Sequence, residues 1–76
     1  MLANKRQNQN RVNKIILALK QARINRGITR YQLSKDTGLS DSSISNIEQL
    51  KQNPTLSTLI EMAVSINFDL PKAIKE

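Results

Sequence analysis

The chain contains no cysteine, no histidine and no tryptophan. Without cysteine there is no disulfide scaffold and no thiolate nucleophile, and without histidine there is no imidazole for acid-base catalysis. Both absences also remove the usual zinc ligands. The six carboxylates are scattered, and two glycines are too few for a glycine-rich phosphate loop. The sequence therefore predicts a protein that is not an enzyme and that needs no metal and no cofactor.

Aromatic side chains and long apolar runs are also scarce. Tyr31 and Phe68 are the only aromatic residues, too few for a surface that stacks single-stranded bases, so a nucleic-acid partner would be a duplex. The longest apolar run, residues 15–19, is much shorter than a membrane-spanning helix or the core of a signal peptide. We expect a cytoplasmic protein with no membrane contact.

Positive charge is concentrated in the first part of the chain. Residues 1–30 contain eight basic and no acidic side chains, whereas residues 31–76 contain four basic and six acidic ones. The formal net charge is +6. Such an uneven positive field attracts a polyanion and speeds its association. A chain of 76 residues forms a single small domain, which gains stability from a partner or a second copy.

Apolar periodicity predicts five helices after a flexible basic arm at residues 1–10. The arm is either a segment that touches DNA phosphates or a frayed terminus, and we favour a frayed terminus over an arm that reads the DNA sequence. The first helix runs from Arg11 to about Asn25, and Gly27 ends it. The other four helices begin after residues whose side chains suit an N-cap, namely Thr29, Ser40, Thr55 and Asp69. The fourth helix is expected to close the core with Leu56, Leu59, Ile60, Ala63 and Val64.

Residues 29–49 have the outline of a helix-turn-helix unit. Gly38 separates two periodic segments at a point where the backbone needs a left-handed residue, although a glycine can end any helix. The small side chain of Ser34 allows the two helices to approach closely. The apolar positions that pack the two helices together are Leu33, Leu39, Ile44 and Ile47.

The second helix of this unit has a polar, uncharged outer face. Ser42, Ser45, Asn46 and Gln49 recur at the spacing of one helix face. Amide and hydroxyl groups both donate and accept hydrogen bonds, which suits base edges: Asn46 fits adenine, and a carboxylate at Asp41 accepts from a cytosine amino group. Exposed helices without a partner also carry such rows, and a carboxylate in the first turn also favours the helix dipole, the role we prefer for Asp41.

Residues 15–74 resemble the Cro and phage-repressor helix-turn-helix family, the xenobiotic-response-element class. The resemblance implies an all-α, compact five-helix bundle of the lambda-repressor-like DNA-binding type over residues 11–76. The motifs that carry it are Leu19, Arg23, Arg26-Gly27-Ile28-Thr29, Leu33-Ser34, Gly38-Leu39-Ser40, Ile44-Ser45, Ile47-Glu48 and Asn53-Pro54-Thr55-Leu56.

The resemblance also implies roles for individual residues. Arg23 and Glu48 match a structural ion pair between the first and third helices. Arg30 stands where the family more often has glutamine, and Leu50 stands where it usually has glycine. Implied base contacts are Asp41, Ser42, Ser45 and Asn46, and implied phosphate contacts are Arg30, Ser40, Gln49 and Lys51.

Three functional hypotheses follow. The first is a sequence-specific regulator of transcription on double-stranded DNA, most simply a homodimeric repressor of a palindromic operator, with Phe68, Leu70 and Ile74 at the dimer interface. Core packing is an equally good interpretation of Phe68. The second is an antitoxin-type module that binds a toxin and its own promoter. The third is a general cationic duplex binder in which the arm carries most of the affinity.

Overall fold

The computed structural model describes residues 5–75, with side chains from residue 7 onward. Five helices follow one another along the chain, and the described part contains no strand: α1 (Lys5–Asn25), α2 (Arg30–Thr37), α3 (Asp41–Glu48), α4 (Leu56–Ser65) and α5 (Leu70–Lys75). This arrangement confirms the prediction of an all-α, five-helix fold.

The N-caps lie where the sequence predicted them. The hydroxyl oxygen of Thr29 accepts from the backbone N–H of Gln32. The side-chain oxygen of Gln32 accepts in turn from the Thr29 N–H, which completes a capping box. Ser40 and Thr55 accept in the same way from the third residue after each of them. The Asp69 carboxylate accepts from the Lys72 N–H. Each cap satisfies an orphan amide and fixes the start of a helix.

Helix α1 begins at Lys5 rather than at Arg11. The first helix thus begins earlier than predicted, and residues 5–10, which the sequence assigned to the arm, are helical, while residues 1–4 lie outside the described residues. Lys, Arg and Gln have good helix propensities, and extension of an existing helix adds one hydrogen bond for each residue that becomes fixed. The Gln9 amide also donates to Asn13, one turn later, at 2.8 Å. Residues 7–11 bury nothing in the core.

The core lies where α1, α2, α3 and α4 meet, and Leu70 of α5 closes it. Its buried members are Ile16, Leu19, Leu33, Ile44, Ile47, Met62, Ala63, Ile66 and Leu70. Leu70, which the sequence assigned to a dimer interface, is only 8% exposed and belongs to the core. The reason is that α5 packs against α1 and turns this first residue inward. Phe68 packs, half-buried, against the core, and Ile74 is 61% exposed.

Helix α4 is apolar on two faces. Met62, Ala63 and Ile66 are buried. Leu56, Ile60 and Val64, which the sequence placed in the core, are 68%, 44% and 73% exposed. Because both stripes have helical spacing, the period alone does not decide which one turns inward. The fold therefore leaves an apolar stripe on the surface.

Candidate nucleic-acid interface

The turn between α2 and α3 sets the angle at which α3 is presented. Gly38 has φ +77° and its N–H donates to the Ser34 carbonyl, so the left-handed turn ends α2. A Cβ at Gly38 would meet no atom within 4 Å, so the backbone conformation itself is what favours glycine here. The half-buried Ser34 hydroxyl donates to the Leu39 carbonyl and ties α2 to the turn.

An ion pair fixes the C-terminal end of α3 to α1. Arg23 Nε donates to Glu48 Oε2 at 2.7 Å and Arg23 Nη2 donates to Oε1 at 2.9 Å. Arg23 Nη1 donates to the Ile28 carbonyl at 2.7 Å, so the same side chain also holds the loop before α2. The two side chains are 11% and 4% exposed. A bidentate pair of this kind holds both partners in one orientation.

The outer face of α3 is largely exposed. Ser42, Asn46 and Gln49 are exposed, and Ser45 is half-buried beside them. Asp41, the first residue of α3, is exposed and lies at the edge of this face. We call these five residues the reading face. The structure thus places the four predicted base contacts on one side of one helix.

Ser45 is the centre of a hydrogen-bond network on the reading face. Gln49 Nε2 donates to Ser45 Oγ at 2.7 Å. Arg30 Nη1, from the start of α2, donates to the same oxygen at 3.3 Å. Arg30 Nε lies 3.8 Å from Asp41 Oδ1. The guanidinium of Arg30 therefore lies across α3, an orientation that the sequence alone did not reveal.

The other predicted phosphate contacts lie at the two ends of α3. The Ser40 hydroxyl accepts from the Ser43 N–H and donates to the Ser43 hydroxyl, both at 3.0 Å, at the start of the helix. Lys51 is exposed in the loop after the helix, and its N–H donates to the Asn46 carbonyl at 2.8 Å. An eight-residue helix separates them by about 12 Å.

Leu50, in the loop after α3, has φ +63°. This is the position at which the resembling family usually has glycine, and the structure keeps the left-handed backbone although the residue is leucine. Left-handed backbone costs about 1–2 kcal/mol for a residue with a Cβ. The loop has the expected shape and carries local strain.

One contact near this loop was missed by sequence reasoning. Gln9 of α1 and Asn53 exchange side-chain hydrogen bonds of 3.1 Å in both directions. The first turns of α1 therefore lie beside the loop that contains Lys51. No sequence signal identifies the contact because the two amides are 44 positions apart.

An exposed polar helix, packed across a second helix of the same length and joined to it by a glycine turn, defines a helix-turn-helix protein. A family model described as helix-turn-helix matches residues 19–72, and the chain belongs to that family, in its Cro/C1, xenobiotic-response-element-like type. No curated protein and no solved structure matches the chain. The family supports a DNA-binding regulator of transcription, and it is a regulatory family rather than an enzymatic one.

Within residues 5–75, no helix has both the length and the apolar character that crossing a lipid bilayer requires.

Proposed function

We propose that the protein is a repressor that binds double-stranded DNA as a homodimer and reads a palindromic operator. The observation that carries the proposal is the reading face, a row of mostly exposed polar side chains on a helix that the Arg23–Glu48 pair holds in place. A rigid polar helix of this kind fits the major groove, where every base pair presents its own pattern of donors and acceptors.

Within the reading face, Asn46 has the strongest assignment. Its exposed amide can donate and accept at once, as a bidentate contact with adenine requires. Ser42 and Ser45 contribute less discriminating contacts, and Asp41 accepts from a cytosine amino group. Phosphates along the rim of the groove are contacted by Ser40, Gln49 and Lys51, which fix the register of the helix on the DNA. The sequence assigned Arg30 to phosphate binding as well.

A groove between α4 and α5 supports the dimer. It has a volume of about 360 Å³ and includes the outward apolar stripe of α4. Exposed apolar surface of this kind on a small domain marks an interaction site. Ile74, which the sequence assigned to the interface, lines the groove, and the half-buried Phe68 forms part of its wall. The surface side chains that line it are Leu56, Ile60, Val64, Phe68, Pro71 and Ile74.

The charges beside the groove favour a second copy as its occupant. On one side, Asp36 and Glu61 line a hollow that shares Ile60 and Val64 with the groove. On the other side, Arg11, Lys14 and Lys75 line a hollow that shares Ile74 with it. A two-fold axis that runs between the two sides places each side of one subunit against the opposite side of the other. The acidic side of each subunit would then contact the basic side of the other.

Dimerisation also supplies the selectivity that a single domain lacks. One reading helix contacts only a few base pairs, which is too little to select a site among the competing sequences of a genome. Two such helices about 34 Å apart enter successive major grooves and read an inverted repeat. Occupation of that site would block transcription.

Selection of duplex DNA from a randomised pool, at about 0.15 M salt, tests the DNA-reading part. The parent should enrich an inverted repeat, and the Ser42→Ala/Asn46→Ala variant should not. Both changed residues are exposed, so the variant should keep the fold, and circular dichroism checks this. Enrichment of the same DNA by both proteins would show that the reading face is wrongly assigned.

Sedimentation of the purified protein tests the dimer. Val64→Glu places a charge in the groove and should give a monomer, whereas Leu17→Glu, on α1 and 47% exposed, should leave the dimer intact. The antitoxin alternative predicts instead that the groove binds another protein and not a second copy of the chain. A parent that sediments as a monomer would favour that alternative.

A further inference from the structure

Arg30 lies against the reading face and not beyond its edge. It is the first residue of α2, yet its guanidinium contacts α3: Nη1 donates to Ser45 Oγ at 3.3 Å, and Nε lies 3.8 Å from Asp41 Oδ1. A side chain that grips phosphate has to reach the rim of the groove. This one lies between Ser45 and Asp41, two residues of the reading face.

The guanidinium retains most of its donors. It has five N–H groups in a planar fork, and among the described residues its one hydrogen bond is that to Ser45. The Arg30 side chain is 44% exposed. A fork that is oriented by a neighbour but still has free donors suits bidentate donation to guanine O6 and N7, the commonest specific contact in protein–DNA complexes.

Asp41 supplies the complementary acceptor. Its carboxylate is 63% exposed and accepts hydrogen bonds without donating any. A lone carboxylate near DNA is repelled by phosphates, but the Arg30 cation 3.8 Å away offsets this repulsion. The carboxylate can then accept from the amino group of cytosine.

We infer that Arg30 and Asp41 together read a single G·C base pair, an inference that rests on the proposed function. In that pair, guanine O6 and the cytosine amino nitrogen lie about 2.9 Å apart because they share a hydrogen bond. On the protein, donor and acceptor lie 3.8 Å apart. The two separations are similar enough for Arg30 to contact guanine while Asp41 contacts the cytosine paired with it. This role for Arg30 replaces phosphate binding.

The test repeats the selection from randomised duplex DNA with Arg30→Gln, Asp41→Asn and Lys51→Gln beside the parent. The parent motif should contain a fixed G·C pair in each half-site. Arg30→Gln and Asp41→Asn should each lose the preference at that pair and keep the remaining positions. Lys51→Gln, a change at an exposed loop cation, should keep the whole motif and bind every sequence more weakly.

A modified base gives a second readout. Replacing that guanine by 7-deazaguanine removes the N7 acceptor and leaves O6. The parent should then bind about tenfold more weakly, and Arg30→Gln should bind both duplexes equally.

The outcomes separate the two proposals. A parent motif that Arg30→Gln leaves unchanged, with weaker binding to all sequences and a shallower salt dependence, would assign Arg30 to phosphate and overturn the inference alone. A parent that enriches no motif would overturn the proposed function, and this inference with it.

Discussion

Gln9 and Asn53 exchange two side-chain hydrogen bonds of 3.1 Å across 44 positions of the sequence. The bonds join a part of α1 that buries nothing to the loop that follows α3. They are exposed, so each contributes at most about 0.5–1.5 kcal/mol to stability. Their effect is therefore local: they hold the first turns of α1 and the Lys51 loop side by side.

Gln9→Ala should fray the first turns of α1 without unfolding the domain. The reason is that residues 7–11 have no core contacts and depend on helix extension and on this amide pair. Backbone amide hydrogen exchange should accelerate in the first turns of α1 and in the loop, and stay slow at Ile16. Gln7→Ala, which removes an exposed amide with no hydrogen bond among the described residues, is the control. Equal exchange in both variants would contradict the prediction.

Glu48→Ala should unfold the domain or destabilise it severely. The change leaves the Arg23 guanidinium, 11% exposed, without its carboxylate, and loss of one partner of a buried pair costs about 3–5 kcal/mol. That is a large part of the stability of a small domain. Urea denaturation followed by circular dichroism measures it. The Arg23→Met/Glu48→Met variant, which strands no charge, should lose less. A loss below about 1 kcal/mol in Glu48→Ala would show that the pair is dispensable.

Leu50→Gly should be more stable than Leu50→Ala. Glycine adopts φ +63° without the strain that leucine carries, and the relief of about 1–2 kcal/mol exceeds the entropic cost of about 0.5–1 kcal/mol. Leu50→Ala is the matched control, since it removes the side chain, 39% exposed, but keeps the Cβ. Thermal unfolding should show a higher midpoint for glycine than for alanine. Equal midpoints would mean that the loop relaxes in both.

Operator binding should weaken steeply with salt. Neutralisation of about six phosphates per dimer by lysine and arginine side chains gives a slope near −5 in log K against log salt concentration. Lys51→Gln removes one cation from each subunit, two from the dimer, and should make the slope shallower by about 1.8, to about −3.5. Titrations of a labelled operator at several salt concentrations measure both slopes. A slope near zero in the parent would be incompatible with a phosphate-gripping interface.

Local features of the sequence predicted the helix boundaries well. The caps at Thr29, Ser40 and Thr55, and the left-handed Gly38, depend on side chains within a few residues of each boundary, so they can be predicted from short segments. The predicted start of α1, at Arg11, was wrong because a polar composition does not distinguish a solvated helix from an extended arm. The Gln9–Asn53 contact joins this segment to a residue 44 positions away, which a short segment of sequence does not reveal.

Burial was harder to predict than helicity. Helix α4 carries apolar residues on two faces, and its packing against α2 settles which face is buried. Leu70 and Ile74 are both apolar and four positions apart, yet one closes the core and the other is on the surface. In the candidate site, the sequence predicted which residues share a helix face. It did not predict where the Arg30 side chain lies, since that depends on the crossing of two helices.

The Ser45 hydroxyl holds two longer side chains, Arg30 and Gln49, at 3.3 and 2.7 Å. Loss of one oxygen atom, as in Ser45→Ala, would release both side chains at once and change what the reading face offers to DNA. The operator preference of a lineage could therefore diverge through a residue that makes few DNA contacts of its own. Close relatives that differ at this position should recognise different operators even where Arg30 and Gln49 are retained.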